Sequence, residues 1–257
     1  MRFGEEHKSM DKELILANPV KNPKISIIIP TLNEEKYIEQ SLLALKSQTI
    51  DTPYEIIVVD SNSKDKTVEI AKKYANKVIV TKKRGIAVGR NLGAKHARGE
   101  ILVFVDADTI LLPDTLKKIY EEIKKKKVVL VSCPIVPITR SFLLHIMYMT
   151  YNLFSITSIK CKRPQISGAF MVTKRDAFAA VQGFNEKFKI LEDFDFSERI
   201  SKIGEVKIIT TTYVLTSPRR LEKWGKLKSV INYIFRIYLP YLLKKSIINW
   251  KIYKPIR

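Results

Sequence analysis

The chain has 257 residues, 46% of them hydrophobic and 28% charged, and its 46 lysines and arginines against 26 acids give a formal charge of +20. That length suits a single α/β domain with a sizeable core, and no low-complexity run or fixed-period repeat interrupts the globular composition. So basic a surface attracts polyanions, whether nucleic acid, anionic lipid or phosphorylated substrates, without choosing among them. Cys133 and Cys161 are too few and too far apart for a disulfide framework or a metal cluster, which points to a reducing, cytosolic setting.

Residues 1–23 mix charges without an apolar core beside a cleavage-like site, and are read as a polar lead-in rather than a secretory signal. The domain is expected to begin at Lys24. Ile25 to Ile29 is a β-branched run predicted as a buried parallel strand stopped by Pro30. Asn33 is placed to cap a helix carrying Ile38, Leu42 and Leu45 at helical spacing. A strand from Glu55 to Val59 ends in the turn cluster Asp60-Ser61-Asn62-Ser63, followed by a helix to Tyr74 and a strand from Lys77 to Val80. Gly85 to Ala97 reads as a helix. Its glycines at 85, 89 and 93 fit either close packing on a sheet or a backbone role near phosphate.

Ile101 to Val105 is the next buried strand, closed by Asp106-Ala107-Asp108. A basic helix follows Pro113 and runs to Lys127, then a strand from Val128 to Ser132. Ser141 to Ile159 is a 19-residue stretch without Asp, Glu, Lys or Arg. Gln165 to Val172 is strand-like, Lys174 to Val181 helical, and Glu192-Asp193 opens a helix to about Lys202. Val206 to Ile209 is a last strand before a basic, aromatic and helical segment over 219–257. Strands alternating with helices imply a mainly parallel, Rossmann-like sheet flanked by helices over 24–218, with ligands beyond the carboxyl ends of the strands. Thr31, Asp60, Arg84, Asp106 and Asp108 all lie just past such ends.

Two carboxylates on a rigid strand end suit a hard divalent cation that also takes phosphate oxygens. A nucleoside diphosphate leaving group requires that neutralisation. Read alone, Asp106 and Asp108 also fit a solvated turn, and Glu192-Asp193 fit acids favoured by a helix dipole; the chemical reading of the Glu192-Asp193 motif is a carboxylate base that deprotonates an acceptor hydroxyl.

Taken in order, Ser26-Ile27-Ile28-Ile29-Pro30-Thr31-Leu32-Asn33-Glu34, Val58-Val59-Asp60-Ser61-Asn62-Ser63, Gly89-Arg90-Asn91-Leu92-Gly93, Phe104-Val105-Asp106-Ala107-Asp108 and Glu192-Asp193-Phe194-Asp195-Phe196 resemble the inverting family 2 glycosyltransferases of the GT-A fold. The resemblance covers roughly Lys24 to Ile209. It implies that Pro30, Thr31 and Glu34 touch the nucleoside, that Asp60 recognises the base, and that Arg84 approaches base or phosphates. It implies further that Asp106 lies near ribose and metal, that Asp108 ligates Mn2+ or Mg2+, that Gly168 and Ala169 line the sugar pocket, and that Asp193 is the catalytic base. The implied partners are a UDP- or GDP-linked sugar and a glycan or lipid-linked acceptor. Ser61 departs from the family's usual second acid, and no histidine follows the Glu-Asp helix, since His7, His96 and His145 lie elsewhere. The processive pattern Gln-x-x-Arg-Trp is absent; Arg219 and Arg220 are the nearest basic candidates for the diphosphate.

Ser141 to Ile159 is long enough to span a bilayer, for which roughly 17–25 residues suffice, yet one crossing would separate Asp108 from Asp193. Buried core, an acceptor-groove lid or a helix lying in the interface remain. The segment after Leu221, basic and aromatic, is expected to seat the protein peripherally on an anionic membrane at its cytoplasmic face. Among rivals, a polyprenyl-phosphate sugar synthase shares the donor chemistry. A nucleic-acid-binding protein explains the charge but not the acids, so no nucleic-acid partner is expected. No glycine-rich phosphate loop follows a strand, which sets aside nucleotidyltransferases and dinucleotide dehydrogenases.

Overall fold

The computed structural model describes residues 14–224, and the expected basic segment beyond Trp224 lies outside them. In chain order these residues form β1 (Leu14–Ala17), β2 (Ile25–Thr31), α1 (Ile38–Lys46), β3 (Tyr54–Asp60), α2 (Thr67–Tyr74) and β4 (Lys77–Val80). Next come α3 (Ile86–His96), β5 (Ile101–Val105), β6 (Thr109–Leu111), α4 (Thr115–Ile123), β7 (Val128–Ser132) and β8 (Ile135–Pro137). The rest are α5 (Phe142–Lys160), β9 (Phe170–Lys174), α6 (Arg175–Ala180), α7 (Glu192–Ile200), β10 (Glu205–Ile208), β11 (Val214–Thr216) and α8 (Arg219–Trp224).

The main sheet runs β1-β4-β3-β2-β5-β9-β7-β10. Its β4-β3-β2-β5 block is parallel throughout, while β9 lies antiparallel between β5 and β7. The isoleucines of β2 explain the block. Ile25, Ile27 and Ile29 enter one core with Leu42 and Ile119, and Ile28 enters the other with Phe104 and Phe196. A strand buried on both faces needs apolar residues at every position. Beside this sheet, β6, β11 and β8 form a small second one that carries the chain past the carboxyl end of β5.

Three expectations change. Residues 14–17 are not simply lead-in: β1 pairs antiparallel with β4, closing an edge that the apolar pattern of residues 25–29 does not advertise. Pro30 does not stop β2, which continues to Thr31 beside β3; pairing with β5 has already ended at Ile28, so the missing N–H of Pro30 costs no ladder bond on that side. Asn33 does not cap α1. It stands at φ 54°, and its Oδ1 accepts the Lys64 N–H at 2.9 Å, stitching two loops together.

The glycine spacing in α3 serves packing. A Cβ on Gly93 would collide with Ile28, and one on Gly89 would press Pro30 at 3.0 Å. α3 therefore lies close on β2 and β3, which brings Arg90 beneath the strand ends.

Candidate active site

Arg90 is the hub. Its side chain is 1% exposed, donating from Nη1 to Glu192 Oε1 at 2.8 Å and from Nη2 to Asp106 Oδ1 at 3.0 Å and the Gly168 carbonyl at 2.9 Å. A buried guanidinium persists only when carboxylates surround it. The three acceptors come from β5's end, the β9 approach and α7, so one side chain locks three elements together. Gly168 must be glycine here, because a Cβ would run into the Arg90 guanidinium. Opposite its carbonyl, the Gly168 N–H donates to Asp193 Oδ2 at 2.6 Å, and Phe194 N–H donates to Oδ1 at 2.9 Å.

Asp193 is thereby fixed at the start of α7. Leu191 just before it is left-handed at φ 61°, a strained conformation for a leucine and of the kind that collects at functional sites. The rings of Phe184 and Phe196, 4.5 Å apart, back the helix. Burial raises the Asp193 carboxyl to about 7, the Glu192 charge adds to the rise, and Arg90 opposes it. Such a carboxylate is a competent base near neutral pH.

On the far side, Asp108 is also raised to about 7, mainly by burial and then by Asp106. Arg219 from α8 sits against it, Nε to Oδ2 at 3.1 Å. The same guanidinium makes a two-pronged bond to Glu34 at 2.6 and 2.7 Å and stacks 4.4 Å over Tyr37. Between these groups opens a cavity of about 560 Å3 whose wall carries Asp106, Asp108, Asp193, Ala169, Arg219 and Arg220. Its other wall is apolar, from Ile146, Tyr148, Tyr151 and Phe154 of α5 and from Leu221.

Pro30, Thr31, Glu34, Asp60 and Arg84 lie outside that wall. Arg84 is exposed. Asp60 is fully buried and accepts from Thr31 Oγ1 at 2.8 Å, Ser63 Oγ at 2.6 Å and the Ser63 N–H at 2.7 Å. Its carboxylate shapes the two strand-end loops, and Glu34 connects to the cavity through Arg219. Arg90 had no role assigned from the sequence; its signal was an arginine on the helix face that also carries Gly89, Gly93 and Ala94. The α5 wall was signalled by the uncharged stretch from Ser141 to Ile159, for which an acceptor lid was one of the open readings.

The model of the family described as "Glycosyl transferase family 2" matches residues 26–181, more than half of the chain. The chain belongs to glycosyl transferase family 2. Solved structures similar to it include the mannosyltransferase PcManGT of Pyrobaculum calidifontis in complex with GDP-Man and Mn2+, with TM-score 0.65, 22% identity and coverage of 93% of this chain and 76% of that one. Another is Staphylococcus aureus TarS 1-349 in complex with UDP, with TM-score 0.61, 22% identity, and 87% and 76% coverage. The fold is accordingly GT-A. Among curated relatives, the poly(ribitol-phosphate) beta-N-acetylglucosaminyltransferase TarS of Staphylococcus aureus is 41% identical over 101 residues, which are 37% of this chain and only 18% of that protein. A dolichol-phosphate mannosyltransferase of Pyrococcus furiosus is 28% identical over 228 residues, 84% of this chain and 63% of that protein.

The family match ends before Asp193, so the placement of that residue rests on geometry. Among the described residues no three histidine, cysteine, aspartate or glutamate side chains gather into a closed metal cage. The site still fits a Mg2+ or Mn2+ ion, which needs only one or two carboxylates and takes its remaining ligands from phosphates and water. Asp108 offers a largely desolvated, cation-seeking carboxylate, and the Arg219 guanidinium already meets that demand for positive charge between Asp108 and Glu34.

Proposed function

We propose that this protein transfers a sugar from a UDP- or GDP-linked donor to a hydroxyl of an acceptor with an apolar, lipid-like portion, inverting the anomeric centre. One observation carries the reading: Asp193, held by two backbone N–H groups, shares a cavity with Asp106 and Asp108 whose opposite wall is apolar. Asp108, with Asp106 beside it, would hold a divalent ion, which supplies charge neutralisation to the departing diphosphate. Arg219 and Arg220 add positive charge on the same side. Asp193 takes the acceptor proton, the freed oxygen bonds to the anomeric carbon, and the bond from that carbon to the diphosphate oxygen breaks with its electron pair leaving on the nucleotide. Thr31, Glu34 and Asp60 order the loops against which the nucleoside would rest.

A polyprenyl-phosphate acceptor is the second reading, favoured by the alignment to the Pyrococcus furiosus mannosyltransferase over 84% of this chain. A phosphate acceptor is already ionised and gains little from a base. Asp193→Asn separates the two. With a hydroxyl acceptor, transfer falls at least about 100-fold while donor affinity holds, and the product shows the inverted configuration by NMR. Undiminished transfer would remove Asp193 as base, and a retained configuration would remove single displacement.

A further inference from the structure

Helix α5 carries an exposed apolar stripe. Several of its polar residues face the protein instead: the Asn152 side chain accepts the Ile135 N–H at 3.1 Å and donates to the Ile135 carbonyl at 2.8 Å, and Ser155 and Ser158 are buried. Leu144 is buried as well and Tyr148, Tyr151 and Phe154 line the cavity, but Phe142 is 79%, Met149 66% and Leu153 62% exposed, and Leu143 and Ile146 are also open. Phe142, Ile146, Met149 and Leu153 fall on one helical stripe. At 19 residues the helix is about 28 Å long, and water is a poor neighbour for a stripe of that length.

We propose that α5 is the surface by which this protein lies on an anionic lipid bilayer, its axis in the membrane plane and its outer stripe at the acyl boundary. The helix cannot cross the bilayer, because β8 before it and β9 after it belong to the same body and Asp106, Asp108 and Asp193 share one cavity. Charge chooses the lipid. Exposed Arg140, Lys160 and Lys162 flank the helix at its two ends, and the chain as a whole carries +20. α8 stands beside the start of α5, where Thr139 Oγ1 donates to Glu222 Oε1 at 3.2 Å, so the basic, aromatic sequence 225–257 follows from an element on this same side. The inner face of α5 walls the cavity while its outer face rests on lipid, so an acceptor anchored in the bilayer would meet the carboxylates without leaving it. The surface itself depends on neither the donor nor the acceptor assignment.

The test uses the full chain in flotation assays with vesicles of equal phosphatidylglycerol and phosphatidylcholine, and with phosphatidylcholine alone. The variant F142Q/M149Q/L153Q should lose at least about 100-fold in partition to the anionic vesicles, as expected for three large side chains denied burial. The variant F142L/M149L/L153I should retain it, and the parent should bind pure phosphatidylcholine more weakly. None of the three residues lines the cavity, so transfer to a water-soluble acceptor and the melting temperature should be unchanged in both variants. Undiminished flotation of the glutamine variant would overturn the proposal. So would a parent dimer that the glutamine variant converts to monomer, since a second copy would then be what covers α5.

Discussion

Replacing Arg90 by methionine keeps most of the volume and removes the charge, which isolates what the guanidinium does. Glu192, 7% exposed at its side chain, would be left as a buried carboxylate without its cation, whereas Asp106 at 31% can recover some hydration. Breaking a buried ion pair by deleting one partner costs about 3–5 kcal/mol. At roughly 2–4 °C per kcal/mol for a domain of this size, the melting temperature should fall by about 6–20 °C. The double variant Arg90→Met/Glu192→Gln should recover part of that loss, because the more deeply buried of the two carboxylates paired with Arg90 is then neutral. Circular dichroism melts at neutral pH read both, and with Glu192→Gln alone melted alongside them the cycle yields the coupling directly. Transfer should fall in the single variant beyond what instability explains, since Arg90 also fixes the Gly168 carbonyl whose own N–H holds Asp193. A single variant melting within about 2 °C of the parent, or a double variant no more stable than the single, would refute the hub.

The remaining predictions concern charge at the two ends of the cavity. Asp193 is raised to about 7, so if it serves as the proposed base it is protonated and inactive below that, and kcat should drop about tenfold per pH unit on the acid side. Glu192→Gln removes one of the causes of the rise and should move that limb to lower pH. The sign for stability is opposite: a carboxylate raised from 3.8 to about 7 contributes stability that is lost as pH rises through the folded value. Arg219→Ala vacates the space between Glu34 and Asp108, so Mn2+ binding in the absence of nucleotide, followed by electron paramagnetic resonance, should tighten. Arg219→Ala/Asp108→Asn should lose that gain, and an Arg219→Ala protein whose Mn2+ affinity matches the parent would remove the competition between guanidinium and metal.

Much of the architecture was legible before any coordinates. The run Ile25 to Ile29 and its counterparts in β3 and β5 state by composition that both sheet faces are covered, and the carboxyl ends of those strands then name Thr31, Asp60 and Asp106. What was not legible has one physical cause. Local pattern reports whether a side chain is buried, not which distant group it meets. Arg90 and Glu192 are 102 residues apart and Arg219 and Glu34 are 185 apart; the sheet order that folds the β9 approach and α7 back beside β5 decides the first pairing, and the pairing of β11 with β6, which delivers α8, decides the second. The same holds for Asp60, whose position at a strand end is a matter of sequence but whose hydrogen bonds to Thr31 and Ser63 are set by the packed loops. In α5 the apolar run announced a helix, and its composition allowed core, lid or interface. Asn152 gripping the backbone of Ile135 sets the rotation of that helix, and rotation about its axis is what turns Phe142, Met149 and Leu153 away from the protein.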